Sequence, residues 1–178
     1  MTRIIAGTHR GRRLAVPAGS ATRPTADRAR EGMFSSLLSL TDLEGARFLD
    51  LYAGSGALGL EALSRGAGRA VLVDSDERAL AALRANAASL GLPAEVVAQP
   101  VERFLSGESE PYDVVVLDPP YDLDVEPVLE LLVPWVAADG VVAVERRSRG
   151  PAPAWPQGLE GLRSRRYGEA TLWYGSRS

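Results

Sequence analysis

The 178-residue sequence has no cysteine, no lysine and a single histidine. No apolar run approaches the roughly 20 residues that cross a bilayer. Without cysteine the chain forms neither a disulfide nor a thiolate metal site, so no metal is expected. The histidine, His9, lies in a basic, turn-rich segment where a solvated role is expected. No signal peptide is read at the start of the chain, and the compartment expected is the cytoplasm, without membrane contact. What is present is a hydrophobic fraction of 46%, rich in leucine, valine and alanine. It fits a globular domain long enough for a full core.

All basic charge is arginine, and its distribution is uneven. Residues 1–30 carry seven arginines, among them Arg3, Arg10, Arg12, Arg13 and Arg23, against one acid, Asp27. The net charge of the whole chain is −3, so an acidic body follows a basic start. That asymmetry points to a polyanion met by the first residues. Arg3–Gly7 and Arg12–Val16 are short β-type runs around the turn Thr8–Gly11 and read as a hairpin. Residues 1–24 are therefore expected to form a basic arm and connector, and 25–178 the main domain. Loss of 1–16 is expected to leave that domain intact.

The densest signal is Phe48-Leu49-Asp50-Leu51-Tyr52-Ala53-Gly54-Ser55-Gly56-Ala57-Leu58-Gly59. It reads as a buried strand, a glycine turn and a helix start. Gly54 and Gly56 lack the Cβ atoms that would hold a ligand off the backbone, and the helix start offers N–H groups to it. Asp74 follows at the spacing of a ribose-binding acid at the end of the next strand. Asp50 separates this turn from a dinucleotide site. A carboxylate four residues before Gly54 repels a pyrophosphate and attracts an ammonium, which points to S-adenosylmethionine. The alternative is an aspartate satisfied by the turn backbone.

Around this turn, strands alternate with helices. A helix is expected over roughly 26–39 with Thr25 as its N-cap. Strands are expected at Phe48–Tyr52, Ala70–Val73, Glu95–Ala98, Tyr112–Leu117 and Val141–Glu145. Helices are expected at Leu58–Ser64, Glu77–Leu90, Val101–Leu105 and Val125–Val136, and a closing hairpin around Gly168-Glu169. The pattern predicts a doubly wound, mostly parallel α/β sheet with ligands at the carboxyl ends of its strands.

The strand Tyr112–Leu117 ends in Asp118-Pro119-Pro120-Tyr121. Two successive prolines make a rigid bracket whose carboxylate and carbonyls point in set directions. Asp118 and the Asp118 or Pro119 carbonyl can accept both hydrogens of a planar exocyclic amine. Holding those N–H groups out of the ring plane favours the pyramidal nitrogen that attacks a methyl sulfonium. Tyr121 offers a face for a base, a contact worth roughly 1–3 kcal/mol. Read without that setting, Asp-Pro-Pro-Tyr is an ordinary tight turn.

These residues resemble the class I amino-methyltransferases with a D/N-P-P-Y/F motif. Arg3–Gly7, Gly11–Leu14, Thr22–Thr25 and Leu49–Ala62 narrow the resemblance to one family. It is the bacterial 16S ribosomal RNA (guanine(966)-N2)-methyltransferases. The similarity covers nearly the whole chain. It implies a seven-stranded Rossmann-like methyltransferase sheet, S-adenosylmethionine as donor, and a flipped guanine of the assembled small ribosomal subunit as acceptor. By position it implies Asp118, Pro119, Pro120 and Tyr121 as the catalytic bracket. It implies Thr25, Asp50, Ala53, Gly54, Ser55, Gly56, Asp74, Ser75, Val101 and Asp118 around the cofactor. Arg3, Arg10, Arg12, Arg13 and Arg23 fall to the RNA. Where relatives often place an aspartate for the adenine amino group, this chain has Pro100, so the Val101 amide or Gln99 takes that place.

Four other readings compete with this one. Adenine-N6 DNA methyltransferases and glutamine-N5 protein methyltransferases use the same bracket. The absence of a separate target-recognition domain disfavours the first, and the arginine arm the second. An NAD-dependent oxidoreductase is disfavoured by Asp50. A non-catalytic RNA-binding assembly factor is disfavoured by the presence of Asp118. A monomer is expected.

Overall fold

A computed structural model describes residues 2–19 and 24–178, with side chains of the second stretch described from residue 26. The chain order is β1 (Thr2–Arg3), β2 (Arg13–Leu14), α1 (Pro24–Leu40), β3 (Arg47–Leu51), α2 (Ala57–Ser64), β4 (Arg69–Asp74) and α3 (Glu77–Leu90). It continues with β5 (Ala94–Ala98), α4 (Val101–Leu105), β6 (Tyr112–Leu117), α5 (Glu126–Leu132), β7 (Val136–Arg147), β8 (Leu159–Tyr167) and β9 (Ala170–Arg177). The main sheet has the order β5-β4-β3-β6-β7-β9-β8. Its strands β3 to β7 pair in parallel, and β9 lies antiparallel between β7 and β8. This is the doubly wound, mostly parallel architecture expected from the strand and helix pattern.

Strand side chains alternate between two cores, one on each face. Phe48, Val114 and Val116 pack with Phe34, Leu37, Leu60 and Leu83 of α1, α2 and α3. Leu49, Val115 and Leu117 pack with Val101, Leu105, Val128 and Leu129 of α4 and α5. Local chemistry sets several boundaries. The Asp76 carboxylate caps α3 by accepting from the Arg78 and Ala79 amides, and Gly91 ends it in a left-handed conformation.

Two boundaries differ from expectation. The first helix begins at Pro24, whose fixed φ suits a first helical position. Thr25 thus lies within the first turn and is not its N-cap; its side chain falls outside those described, as does Arg23. The helix expected over Val125–Val136 stops at Leu132 and tightens into a 3-10 turn at Val133–Trp135. Pro134 lacks the N–H that would continue it. Val136 already belongs to β7, which extends to Arg147.

The hairpin at the start of the chain is present, with Thr2 opposite Leu14 and Arg3 opposite Arg13. It is built into the domain. Ile4 and Leu14 are 1% and 4% exposed and join the core of α1 and α2. Glu61 of α2 has no exposed surface, and its carboxylate accepts from the Ile5 amide at 2.8 Å, the Ala6 amide at 3.0 Å and Arg65 Nε at 2.8 Å. Arg30 is also buried, with Nε 3.9 Å from the same carboxylate and a guanidinium hydrogen bond to the Arg3 carbonyl. Burial pulls the Arg30 pKa down against the pull of Glu61 and Asp27. Arg30, the last arginine of the basic start, is therefore a structural cation. Asn86 of α3 exchanges two hydrogen bonds with the Ala15 backbone, at 2.7 and 2.9 Å.

The loop of the hairpin reaches the far ends of two helices. The Thr8 amide donates to the Ser64 carbonyl, His9 Nε2 lies 2.9 Å from the Leu90 carbonyl, and Arg12 donates to the Ser89 carbonyl. His9 is thus half-buried and held, not simply solvated. Ser64 and Leu90 end α2 and α3, which run back from the carboxyl ends of β3 and β4. Arg10 and Arg12 consequently lie toward the amino ends of the strands, about 12 Å from the start of the eight-residue α2.

Deleting residues 1–16 would leave Glu61 buried without two of its donors and empty the Ile4 and Leu14 sites. The deletion is expected to destabilise the whole domain, against the expectation of a separable arm. Glu61→Ala, which strands Arg30 and Arg65, is expected to cost about 3–5 kcal/mol in urea unfolding. Wild-type stability in either protein would show that the contacts are incidental.

Candidate active site

The sheet register assembles the site. Leu51, Val73, Leu117 and Val144 lie side by side across β4-β3-β6-β7. The next residue of each strand, Tyr52, Asp74, Asp118 and Glu145, therefore emerges at one edge. All four line a cavity of about 660 Å³, together with Ser75, Asp76, Pro119, Pro120, Tyr121, Tyr167 and Glu169. A cavity of about 220 Å³ lies beside it, under α1 and against Ser55, Ala57 and Leu58. Asp118 and Glu145 line both, so they stand at the junction.

The Asp118 and Glu145 carboxyl groups lie together at that junction, close enough to act on each other electrostatically. Asp118 opens to the cavity on its outer face but is otherwise enclosed by the cleft. That enclosure, then the Glu145 carboxyl and the charge of Asp50, raise its pKa well above the carboxylate range, with Arg146 opposing. The bracket after it is clamped. Arg146 donates to the carbonyls of Pro120, Tyr121 and Leu123 at 3.1, 3.0 and 2.8 Å. The Arg147 guanidinium covers the Tyr121 ring at 5.0 Å from its centroid. Tyr52 holds a left-handed backbone, φ 59°, which costs a non-glycine residue on the order of 1–3 kcal/mol. Its hydroxyl donates to Glu102 at 3.2 Å.

The glycine turn is more specialised than its sequence reads. A Cβ on Gly54 would meet nothing within 4 Å, so this backbone faces open space. A Cβ on Gly56 would lie 2.2 Å from Leu83 Cδ1, and one on Gly59 2.6 Å from Leu72 Cδ2. Gly56 and Gly59 thus serve helix-on-strand packing, and the reading of Gly56 as clearance for a ligand is corrected. The expected free amides at 54 and 56 are also taken. Gly54 donates to Asp74 Oδ2 at 2.8 Å, and Gly56 to the Ala53 carbonyl at 2.9 Å. Asp74 also accepts from the Asp76 amide at 2.9 Å, so one carboxylate ties the glycine turn to the end of β4.

Asp50 is 1% exposed and lies beneath the turn. Its Oδ2 accepts from the Gly59 amide at 2.9 Å, which is the turn-satisfied alternative, while Oδ1 has no partner. Burial pushes its pKa up to about 7, against the Gly59 hydrogen bond and with help from Asp74. Ala53 is 9% exposed, and Val101 is 2% exposed at the first position of α4. Arg3, Arg10, Arg12 and Arg13 are exposed on the hairpin, outside both cavities.

Glu145, Tyr52, Tyr167, Glu169 and the Arg146 clamp were not singled out in the sequence. Glu145 was findable, because it follows the last residue of β7 paired in parallel with β6, as Asp118 follows its partner there. Tyr167 and Glu169 were not, because the antiparallel β8–β9 turn reaches the cleft only through the tertiary fold. Gly32 admits that approach, since a Cβ there would lie 2.1 Å from the Tyr167 hydroxyl.

Two outcomes follow from this geometry. Gly56→Ala is expected to lose about 1–3 kcal/mol more stability than Gly54→Ala, because only the former overpacks Leu83; equal losses in urea unfolding would contradict the division of roles. For Asp50, the folded value near 7 lies above the usual carboxylate value of about 4. The folded state thus keeps a proton that the unfolded chain releases. That contribution is full below about pH 4 and is lost as pH rises toward 7. Stability curves of wild type and Asp50→Asn should diverge over that window, and parallel curves would refute the shift.

A family model described as conserved hypothetical protein 95 matches residues 2–176. Ribosomal RNA small subunit methyltransferase D of Escherichia coli K12 is 39% identical over 158 residues, covering 86% of this chain and 79% of the relative. The protein of the same name from Haemophilus influenzae is 36% identical over 157 residues, covering 84% and 80%. Among solved structures, a candidate methyltransferase from Escherichia coli superposes with a TM-score of 0.89 at 34% identity, covering 99% and 97% of the two chains. A hypothetical protein of Thermus thermophilus superposes at 0.81 with 36% identity and 98% of both chains. From its hairpin to its last strand, the chain belongs to the ribosomal RNA small subunit methyltransferase D family, conserved hypothetical protein 95.

Proposed function

We propose that this protein transfers a methyl group from S-adenosylmethionine to the exocyclic N2 amine of a guanine, position 966, in 16S ribosomal RNA of the small subunit. The observation that carries the reading is the clamped Asp118–Tyr121 bracket, set beside Glu145 at the junction of two cavities. The names of the relatives support ribosomal RNA as the substrate class.

The residues present fit the cofactor. Gly54 leaves its backbone open, and the larger cavity is lined by five carboxylates, Asp74, Asp76, Asp118, Glu145 and Glu169, and, among the described residues, by no arginine. Such a wall favours a cation and disfavours a pyrophosphate. Asp74 would hold the ribose hydroxyls with Ser75 beside it. Ser55 and the Gly54 turn would hold the methionine end, with α1 from Thr25 above. Asp50, bound to the Gly59 amide beneath the turn, would supply its unpartnered Oδ1 as an acceptor for the ammonium. Gln99 and the Val101 amide would face the adenine. When bound, S-adenosylmethionine supplies a methyl group on a sulfonium.

Asp118 accepts one N–H of the acceptor amine and a bracket carbonyl accepts the other. The amine is thereby fixed with its lone pair out of the ring plane. Arg146 keeps the bracket from turning by holding the Pro120 and Tyr121 carbonyls, and that of Leu123 just beyond it. The Tyr121 ring, held by Arg147, would be the aromatic surface met by the base. The proton that the amine loses passes to the Asp118–Glu145 pair, which holds it between two carboxyl oxygens.

Incubating unmodified small subunits with labelled S-adenosylmethionine, then locating the label by mass spectrometry of digested 16S RNA, tests the proposal. Label on another nucleotide, or none, would overturn it. Calorimetry is expected to show binding of S-adenosylmethionine and none of NAD. Asp118→Ala should abolish transfer while cofactor affinity stays within about tenfold. Tyr121→Phe should be mild and Tyr121→Ala severe; equal damage would assign the hydroxyl a role. Asp118 must be unprotonated to accept, and its pKa is raised, so the acid limb of the rate profile should lie above the usual carboxylate range. Asp50, Glu145 and Arg146 act on it electrostatically. Removing one acid in Glu145→Gln should therefore move that limb to lower pH.

A further inference from the structure

The residues that would hold an RNA strand at the cleft are not those of the hairpin loop, since Arg10 and Arg12 lie toward the other edge of the sheet. The cleft wall disfavours phosphates too, because its charged side chains among the described residues are all carboxylates. Any phosphate flanking an inserted base has to stay at the rim.

A second group of arginines stands at that rim. Ser148 donates from its amide to the Glu169 carbonyl at 2.7 Å and from its hydroxyl to the Gly168 carbonyl at 3.0 Å. These bonds lash the end of β7 to the β8–β9 turn, which forms the cavity wall through Glu169 and Ala170. Arg147 and Arg149 flank Ser148. Arg147 lies in one row across the sheet with Ala170 and Tyr167, and its guanidinium covers Tyr121. Arg166 reaches the same turn, donating to the Gly168 carbonyl at 3.1 Å. Arg165 is exposed beside it on the edge strand β8. Among the described residues, ion pairs are seen at Arg30, Arg47, Arg65 and Arg69, and at none of these four. The rim thus gathers four arginines, in no ion pair seen among the described residues, beside a partly exposed aromatic ring at the mouth of an acidic cavity.

We infer that Arg147, Arg149, Arg165 and Arg166 form a phosphate-binding rim, which holds the single-stranded RNA on either side of the base inserted beside Tyr121. This rests on the RNA reading above and adds a surface to it. Guanidinium groups bridge phosphates through their planar fork, and an acidic cleft behind them admits the base but not its backbone. Base entry and backbone exclusion are then two sides of one charge arrangement.

The test uses Arg149→Ala/Arg165→Ala/Arg166→Ala in the full chain, leaving Arg147 on Tyr121. The probe is a labelled single-stranded RNA with one central guanine, titrated by anisotropy at three salt concentrations. The triple variant is expected to bind roughly tenfold more weakly at the lowest salt. Its salt dependence should be shallower by roughly 0.7 logarithmic units per lost contact. Calorimetry should show S-adenosylmethionine affinity unchanged. Arg84→Ala, an exposed arginine on α3, should match wild type, and the triple Arg→Lys protein should recover most of the salt slope. Unchanged RNA affinity and slope in the triple alanine variant would overturn the inference while leaving the proposed reaction standing. Weaker binding of small subunits with unchanged binding of the RNA probe would assign the rim to a protein contact and also overturn it. A wild-type protein that binds S-adenosylmethionine but no RNA would bring down the RNA reading itself, and the rim with it.

Discussion

Five carboxylates gathered in one cavity, with no basic side chain among its described lining residues, are the constraint on which the rest of this molecule depends. Asp74, Asp118 and Glu145 arrive together because three parallel strands stay in register, and Asp50 lies just beneath them. Their mutual repulsion and their desolvation oppose folding unless protons or hydrogen bonds offset them. The structure shows both remedies. Asp74 accepts from the amides of Gly54 and Asp76, whereas Asp118, enclosed beside Glu145, has its pKa raised toward protonation. What remains is a site biased toward cations and toward proton acceptance, the two properties that methyl transfer from a sulfonium to an amine requires.

The same logic, with the opposite outcome, governs the start of the chain. Glu61 is fully buried yet satisfied, by two backbone amides and two arginines. A short hairpin with only two residues per strand has little stability of its own. Its order is borrowed from α2 and α3, through Glu61, Ser64 and Asn86. Among the described residues, basic charge near the amino terminus thus divides into a structural part, Arg30, and an exposed part, on the hairpin and at Arg28 of α1. The distinction matters for RNA, because only exposed guanidinium groups release counterions on binding.

Rigidity is supplied where the chemistry needs it. Proline fixes Pro119 and Pro120 from within, and Arg146 fixes their surroundings from the next strand. Tyr52 keeps a strained backbone at the end of β3, in the row that contains Asp118. The β8–β9 turn is tied to β7 through Ser148, so the wall carrying Glu169 and Tyr167 is part of the sheet and not a loose flap.

Local rules of the chain by themselves determined the alternation of strands and helices, the glycine turn, the Asp74 spacing and the proline bracket. Each depends on neighbours within a few residues, such as the apolar run Val114–Leu117 or the φ of Pro119 and Pro120. Pro134 and the polar Ala137–Gly140 stretch blurred the one helix–strand boundary where two local signals competed. Only the tertiary structure decided that Gly54 faces open space while Gly56 faces Leu83, since both read alike as turn glycines. It alone set Glu145 against Asp118, turned Arg30 inward and Arg147 onto Tyr121, and put the tip of the hairpin toward the amino ends of the strands. Those outcomes depend on contacts between residues far apart in the chain, and no periodicity in the sequence records which face such partners share.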